Sequence, residues 1–236
     1  MKGKNLVVIK YGGSLMDAKS VEKKIIKNIK KFAKKNPVIV VPGGGKEITN
    51  ALKKSKIETK FVHGLRYTDG KSIKIVEKVL ENIQDKVVKK LKNALAIKKA
   101  VIGERVKKLG YVGKFTSAKF LEIGKVLKKS KIAVVSPVGK NKTGQILNFN
   151  ADEVAGGIAA QVKAKRLIFF TDVPGVLDKN KKTIPIIKIG NIKKLIDRKI
   201  ITGGMLPKIM SCVQAVKKGV GEVDILDTNM KGTKIL

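Results

Sequence analysis

Short uninterrupted apolar runs alternate along this chain with longer segments whose apolar residues recur every three or four positions. Five short runs, too short for helices, predict strands at 6–9, 38–41, 132–137, 167–170 and 223–226. The first three are rich in β-branched residues and are interpreted as buried strands. Helical spacing follows the first strand, from about Asp17 to Lys35, and recurs from about Asp69 to Lys92. This alternation predicts an α/β fold with a mostly parallel central sheet and with ligands at the carboxyl ends of its strands.

Glycine-rich loops follow the first two predicted strands. Gly12 and Gly13 come after the first strand, and a triple glycine at 43–45 comes after the second. Glycine lets a backbone approach a ligand closely, and Lys10 at the end of the first strand can project over its loop. The arrangement suits a phosphate chain, although a plain tight turn remains an alternative for the triple glycine.

Two more loops of this kind occur in the second half of the chain. A polar turn at 171–177 follows a predicted strand and faces the same edge of the sheet. A glycine loop at 200–208 leads into a helix that extends to Lys217, with Pro207 tolerated near its first turn and Lys208 facing the loop.

The common nucleotide-binding patterns are absent. The nearest imitation of a P-loop ends in Gly70-Lys71-Ser72, but five residues separate Gly64 from Gly70 where the pattern requires four. Neither of the first two glycine loops carries the spaced glycines of a dinucleotide fingerprint. A phosphate site in this chain is therefore of another design.

A polar stretch at 147–152 marks the change from a strand-like segment to a helix of small residues. Asn150 or Asp152 can cap that helix, and a helix start is a place where anions bind. Taken alone, the stretch is no more than a helix boundary.

Few other polar residues single themselves out. Arg66 precedes the long helix, where it either grips a carboxylate with two hydrogen bonds or is an ordinary surface arginine, and Thr68 or Asp69 can cap that helix. His63 is the only histidine and is interpreted as a loop residue. The single cysteine, Cys212, lies in a helical pattern and is interpreted as a small core residue, which argues against a disulfide framework and a cysteine-ligated metal.

The pattern is weaker elsewhere. Short apolar runs at 101–106 and 111–113 predict a hairpin, residues 117–128 predict a helix, and residues 189–197 predict a short helix.

With 236 residues, 43% of them hydrophobic, the chain is long enough for one large α/β domain or two lobes. No apolar run approaches the roughly 20 residues that cross a bilayer, and the N-terminus has no signal-peptide layout, so a cytoplasmic location is expected.

The charge is unusual. Lysine and arginine number 53 against 18 acidic residues, which gives a net charge of +35 and a pI near 10.2. Such a field attracts nucleic acid, anionic membranes or acidic proteins, but only 4% of residues are aromatic and the lysines are spread over every segment. We therefore interpret the charge chiefly as compositional bias, with nucleic-acid binding disfavoured. The densest patch, Lys86 to Lys108, is where an acidic protein partner would dock.

Six motifs, in order and with consistent spacing over nearly the whole chain, resemble the amino acid kinase family. They are Lys10 with Gly12-Gly13, the triple glycine at 43–45, the stretches at 64–69 and 148–152, the turn at 171–176 and the loop at 203–208. The resemblance implies a three-layer αβα sandwich whose N-terminal lobe (1–140) binds an acyl acceptor and whose C-terminal lobe (141–236) binds ATP. It also implies a homodimer joined across the long helix.

The resemblance further implies phosphorylation of the side-chain carboxylate of N-acetyl-L-glutamate by ATP. Lys10 and Lys208 resemble the lysines that neutralise the transferring phosphoryl group, and Asp152 the aspartate that orients both. The residues that resemble acceptor-binding positions are Gly44, Gly45, Arg66 and Asn148. Those that resemble nucleotide-binding positions are Gly12, Gly13, Thr171, Asp172, Gly175, Val176, Leu177, Gly203, Gly204 and Met205. Mg²⁺ is expected to arrive with ATP, without protein ligands of its own.

The chain departs from the family pattern in several places. Pro42 stands where a histidine usually precedes the triple glycine, and the region 93–112 is short. The C-terminal part passes from Asp227 to Gly232 without the usual segment, and no helix precedes Leu6, so a hexameric assembly is not expected. Two alternatives stay open: a kinase for an amino acid linked to an acidic carrier protein, and a basic RNA-binding or regulatory protein on a kinase scaffold.

Overall fold

The computed structural model describes residues 5–12, 15, 18–62 and 64–236. The expectations for Gly13 and His63, and for the predicted start of the first helix at Asp17, lie outside these residues. The strands in chain order are β1 (Val7–Tyr11), β2 (Val38–Pro42), β3 (Phe61–Val62), β4 (Leu65–Arg66), β5 (Leu95–Ile97), β6 (Val101–Arg105), β7 (Val112–Ala118), β8 (Ile132–Val135), β9 (Val138–Lys140), β10 (Ile146–Phe149), β11 (Arg166–Phe170), β12 (Ile186–Ile187), β13 (Glu222–Leu226) and β14 (Gly232–Ile235). The helices are α1 (Lys19–Lys35), α2 (Gly45–Lys54), α3 (Gly70–Leu91), α4 (Phe120–Ser130), α5 (Ala151–Val162), α6 (Ile192–Asp197) and α7 (Met205–Lys217).

The central sheet has eight strands in the order β12-β14-β13-β11-β1-β2-β8-β5. Neighbouring strands are parallel except for the pair β13 and β14. β1 lies in the interior of the sheet, with β2 on one side and β11, from the second half of the chain, on the other. The carboxyl ends of β1, β2 and β11 therefore meet at one edge, and the prediction of a mostly parallel sheet is confirmed.

The apolar residues of each central strand point alternately to the two faces of this sheet. In β1, Val7 and Ile9 belong to the core on one face, together with residues of α1, α2 and α3. Val8 belongs to the core on the other face, with residues of α4, α5, α6 and α7. Because both faces are covered, the strands are apolar throughout, and the molecule has the three layers of an αβα sandwich.

A second, closed sheet has four strands in the order β10-β7-β6-β9. Two of them, β6 and β7, precede β8 in the sequence, and the other two, β9 and β10, follow it. Glycine makes this closure possible, since a Cβ at Gly103 or Gly113 would come within 2.4 Å of the ring of Phe149. β10 leads directly into α5, so this small sheet sets the position at which α5 begins.

Two predicted helices differ from the structure. The helix predicted at 117–128 begins at Phe120, because residues 112–118 form β7 and pair with β6 up to Ala118. The helix predicted at 189–197 starts as a 3₁₀ turn at Ile189–Asn191 and becomes α-helical at Ile192. The amide of Ile189 is tied to the carbonyl of Leu236, which fixes that turn. Within the described part of the chain, no helix combines the length and apolar character that a membrane crossing requires.

Candidate active site

The loops after β1 and β2 touch at the carboxyl edge of the sheet. The amide of Gly43 donates to the carbonyl of Tyr11 at 2.6 Å. A Cβ on Gly12 would lie 2.6 Å from the Cα of Gly43, closer than a side chain can approach a backbone. Only glycine therefore fits at position 12, and the close contact brings the Lys10 end of β1 next to the start of α2.

Helix α5 presents Asp152 to the same edge. Asn150 is the N-cap, and its Oδ1 accepts from the amides of Asp152 at 2.9 Å and Glu153 at 3.1 Å. Of the two caps that the sequence allows, Asn150 is therefore the one used, which leaves the carboxylate of Asp152 available to other groups.

Two lysines share that carboxylate. Lys10 Nζ lies 2.9 Å from Asp152 Oδ1, and Lys208 Nζ lies 3.2 Å from the same oxygen. Asp152 and Lys208 are buried, at 8% and 7% exposure. A buried carboxylate is stable in its charged form only with partners such as these.

Burial and neighbouring charges both shift the pKa values of Asp152 and Lys208. Burial raises the pKa of Asp152, but the charges of Lys10 and Lys208 and their hydrogen bonds outweigh it, so the pKa lies below the usual range. Burial lowers the pKa of Lys208, the charge of Lys10 lowers it further, and Asp152 only partly compensates. The cluster of two ammonium groups and one carboxylate keeps an excess positive charge, which attracts an anion.

Lys208 reaches the cluster from α7. It occupies the fourth position of that helix, and its Nζ lies 5.3 Å from the centre of the Phe169 ring on β11. The side chain of Lys208 therefore lies between Phe169 of β11 and the carboxylate of Asp152.

Arg66, at the end of β4, is buried next to the start of α2. Its Nη2 donates to the Gly45 carbonyl at 2.7 Å and to Thr49 Oγ1 at 2.8 Å, and its Nη1 donates to Thr59 Oγ1 at 3.3 Å. The guanidinium also stacks on Phe61, 4.7 Å from the ring centre. The arginine is therefore held in place by the protein, and a two-bond grip on a carboxylate would require Nη2 to share or release its present acceptors.

Asn148 lies on β10 and lines the same cleft as Arg66. Its Nδ2 donates to Thr68 Oγ1 at 3.1 Å, and Thr68 in turn donates to the Arg66 carbonyl at 3.0 Å. Asp69 caps α3, as one of the two sequence alternatives predicts, and accepts from the amides of Lys71 and Ser72.

The cleft has a volume of about 280 Å³ and combines the polar groups described above with an apolar wall. Predicted site residues on its lining are Lys10, Gly12, Gly44, Gly45, Arg66, Asn148 and Asp152. The apolar part of the lining consists of Ile48, Phe61, Leu65, Leu80, Val112, Pro137 and Phe149. Seven of the predicted residues, from distant parts of the chain, thus line one cleft.

The other predicted site residues that the structure describes do not line this cleft. Thr171 and Asp172 follow the carboxyl end of β11, while Gly203, Gly204 and Met205 lead into α7. The side chain of Val176 is in the core, and its amide donates to Thr233 Oγ1 at 2.8 Å. A ligand could contact Val176 only through its backbone.

Gly175 has φ of +90°, and a Cβ there would lie 2.5 Å from Thr233 Oγ1. This glycine is therefore required by the turn itself. Leu177, which follows it closely, is bridged to Thr183 by backbone pairing.

Sequence reasoning missed the residues that hold the site in position. Thr49 and Thr59 fix Arg66, and nothing in their local sequence distinguishes them from other surface threonines. Among the described residues, no three His, Cys, Asp or Glu side chains cluster as metal ligands would.

The fold and the site together define an αβα protein with a positively charged cluster at the edge of its sheet. This cluster can bind an anion next to a small cleft that has both polar and apolar walls. The sequence profile of the amino acid kinase family matches residues 5–227. Acetylglutamate kinase from Endomicrobium trichonymphae is 39% identical over 244 residues, which cover 98% of each chain. The acetylglutamate kinase of Pelagibacter ubique is 37% identical and is matched over 94% of this chain and 80% of its own.

Solved structures agree with these sequence matches. The protein smu.665 from Streptococcus mutans UA159 superimposes with a TM-score of 0.90 at 30% identity, over 98% of each chain. Carbamate kinase from Giardia lamblia, at 14% identity and a TM-score of 0.75, shares the fold. This chain belongs to the amino acid kinase family.

Proposed function

We propose that this chain transfers the γ-phosphoryl group of ATP to the side-chain carboxylate of N-acetyl-L-glutamate, a step of arginine biosynthesis, and so acts as an acetylglutamate kinase. The observation that carries this proposal is the pair of ammonium groups, Lys10 and Lys208, around the buried Asp152 at the end of the cleft. The relatives named acetylglutamate kinase, similar over nearly the whole chain, support the choice of acceptor.

The reaction needs no general base. A side-chain carboxylate is ionised at neutral pH, with an ordinary pKa near 4.3 for a glutamate, so it is already a nucleophile. One carboxylate oxygen forms a bond to the γ-phosphorus, while the bond from that phosphorus to the oxygen bridging the β-phosphate breaks. The products are an acyl phosphate and ADP, and no proton is transferred.

The two lysines supply the charge that this reaction requires. Phosphoryl transfer depends mainly on positioning and on neutralising charge that moves toward the leaving group. Lys10 and Lys208 are prearranged for this task by Asp152, which stays ionised because their charges lower its pKa. Asp152 itself acts as the positioning residue and does not contact the phosphoryl group.

The cleft provides the acceptor subsite in this proposal. Gly44 and Gly45 line the cleft at the start of α2, where backbone amides have no intrahelical partners and can bind an anionic substrate. Arg66 binds the α-carboxylate and Asn148 the acetamido group, and the apolar wall excludes water from the methylene chain.

ATP binds along the neighbouring part of the sheet edge and brings Mg²⁺ with it. We assign its phosphates to the Gly12 loop and its adenosine to the segments 171–177 and 203–205. The first segment follows β11, and the second leads into α7, the helix that carries Lys208.

The assembly and location are also proposals. We expect a homodimer across α3, an acceptor lobe at 1–140, a nucleotide lobe at 141–236 and a cytoplasmic location. In the patch 86–108, Lys92, Lys107 and Lys108 lie outside α3 and form no ion pair with the described residues, so they would stay open to an acidic partner in such a dimer.

The test is an ATP-dependent acyl-phosphate assay in which the product is trapped with hydroxylamine. N-acetylglutamate is compared with glutamate, aspartate, UMP and an amino acid linked to a carrier protein. Hydroxamate formation with N-acetylglutamate above all other acceptors is expected. Activity with UMP alone or with no acceptor would contradict the proposal, and preference for the carrier-linked substrate would replace it with the first sequence alternative.

A further inference from the structure

Helix α5 is fastened to strand β7 along one face. Glu153, Gly157 and Gln161 are spaced four residues apart and so lie on the same side of the helix. Glu153 Oε1 accepts from the amide of Phe115 at 3.0 Å, and Gln161 Nε2 donates to the carbonyl of Thr116 at 2.6 Å. A Cβ on Gly157 would lie 2.3 Å from the Phe115 ring, so the two elements are in direct contact between these hydrogen bonds.

Of the two hydrogen bonds, that of Glu153 lies next to the reactive centre. Its neighbour Asp152 carries the carboxylate shared by the two lysines, and both amides are bound by the Asn150 cap. Two sets of contacts thus fix the first turn of α5: the Asn150 cap at its N-terminus, and the hydrogen bond from the Phe115 amide of β7 to Glu153 on its side. Burial raises the pKa of Glu153, whereas the hydrogen bond from the Phe115 amide and the charge of Lys114 lower it. The main contact that this partly buried carboxyl makes is therefore the one with the backbone of β7.

Strand β7 is a suitable anchor because it also belongs to the acceptor cleft. Val112 lines the cleft, and β7 pairs with β10, which carries Asn148. The Glu153 bond therefore ties the helix start that bears Asp152 to the same small sheet that positions the acceptor side.

We propose that Glu153 is a positioning residue for the phosphoryl-transfer centre: by binding the Phe115 amide it holds Asp152, and through Asp152 both lysines, in register with the acceptor cleft. The inference rests on the proposed kinase activity, and a displacement of about 1 Å at such a centre lowers turnover by about a hundredfold.

The test compares two residues that make the same kind of contact at different distances from Asp152. Glu153→Ala removes the bond beside Asp152, whereas Gln161→Ala removes the bond two turns further along the same helix face. We expect Glu153→Ala to lower kcat by about tenfold to a hundredfold with little change in the KM for the acceptor. Gln161→Ala should keep kcat within about threefold at a similar loss of Tm.

A conservative variant separates the hydrogen bond from the charge. Glu153→Gln retains an oxygen that can accept from the Phe115 amide, and it should restore most of kcat. Equal losses of kcat in Glu153→Ala and Gln161→Ala, or an unchanged kcat in Glu153→Ala, would overturn the inference.

A second readout does not depend on kinase activity. The pKa of Lys208, followed by its ¹³Cε NMR signal and assigned through the loss of that signal in Lys208→Arg, should fall further in Glu153→Ala, because a displaced Asp152 no longer opposes the effect of burial. It should stay at the wild-type value in Gln161→Ala. An unaltered Lys208 pKa in Glu153→Ala would overturn the positioning role, whereas a wild-type protein inactive on N-acetylglutamate with this shift present would count only against the proposed reaction.

Discussion

A single carboxylate, Asp152, organises the chemistry at the scale of residues. It lies within ion-pairing distance of Lys10 and Lys208, and all three side chains are largely withdrawn from solvent. Such a cluster is costly to bury unless each charge is compensated, and one ammonium group remains in excess. The excess charge is the feature that suits a polyphosphate and sets the group apart from a structural ion pair.

Removing the carboxylate should separate folding from turnover. Asp152→Asn keeps the size of the side chain but leaves two ammonium groups without the charge that brings them together. We expect kcat to fall by about a hundredfold or more, while far-UV circular dichroism keeps its wild-type form. An Asp152→Asn enzyme with nearly normal kcat would show that the lysines do not depend on this residue.

The lowered pKa of Lys208 predicts an alkaline limit on activity. The lysine must carry its proton to neutralise phosphate, so kcat/KM should fall as pH rises through a pKa that lies below the ordinary lysine value of about 10.4. Lys208→Arg should move this limb to higher pH, even if its absolute rate is lower, because arginine stays protonated. A limb at the same pH in both enzymes would assign it to another group.

At the scale of elements, two glycine loops and two helix starts converge on one edge of the sheet. The loops are in van der Waals contact at Gly12 and Gly43, and α5 and α7 deliver Asp152 and Lys208 from the opposite side. The site therefore depends on how closely backbone segments approach each other as much as on side-chain chemistry.

Gly12→Ala tests that dependence. The added Cβ would lie 2.6 Å from the Cα of Gly43, so the two loops must separate at the proposed phosphate site. We expect the KM for ATP to rise and kcat/KM to fall by about tenfold or more. Gly190→Ala is the matched control, because its Cβ would meet nothing within 4 Å. Unchanged kinetics in Gly12→Ala would show that the loop contact is dispensable.

The sequence predicted the elements whose signals are local. The buried strands follow from short β-branched runs, and the caps Asp69 and Asn150 follow from their place before helical periodicity. The closed four-stranded sheet was not predicted, because its parallel pairs join strands far apart in the chain and depend on Phe149 filling the space left by Gly113. The short edge strand β12 carries no pattern of its own.

The candidate site shows the same difference between features with a local sequence signal and features that depend on distant residues. Spacing alone gave glycine loops and possible caps, whereas the grouping of Lys10, Asp152 and Lys208 came from resemblance to a family. Lys208 and Asp152 are 56 positions apart, and only the packing of α7 on α5 brings them together. Thr49 and Thr59 were missed because a threonine that fixes Arg66 looks like any other exposed threonine.

The whole molecule carries a charge of +35, and α3 shows how it is distributed. The acidic residues of this helix turn toward the following loop, where Lys99 binds Glu77 and Glu81 and Lys98 lies 3.7 Å from Asp85. The exposed lysines that remain on the outer face of the helix are Lys71, Lys74, Lys78, Lys86 and Lys89. A dimer formed across α3 would bring two such faces together.

The proposed homodimer should therefore tighten with salt. Screening weakens repulsion between the two faces, and raising ionic strength from about 0.05 to 0.3 M should lower the dimer Kd by about tenfold in analytical ultracentrifugation. Lys78→Glu on α3 should reduce this dependence. Lys27→Glu, exposed on α1 with the same change in net charge, should leave it unaltered. A Kd that rises with salt would contradict a dimer across this face.

In the proposed reaction, Lys10, Asp152 and Lys208 form the phosphoryl-transfer centre for an N-acetylglutamate acceptor. The most direct measurement is the rate of hydroxylamine-trapped acyl phosphate formed from ATP and saturating N-acetylglutamate, for the wild-type chain and for a folded Lys208→Ala variant. If the three residues have this role, the wild type is active and the variant loses about a hundredfold to a thousandfold of the rate. Nearly equal rates in the two proteins would contradict it.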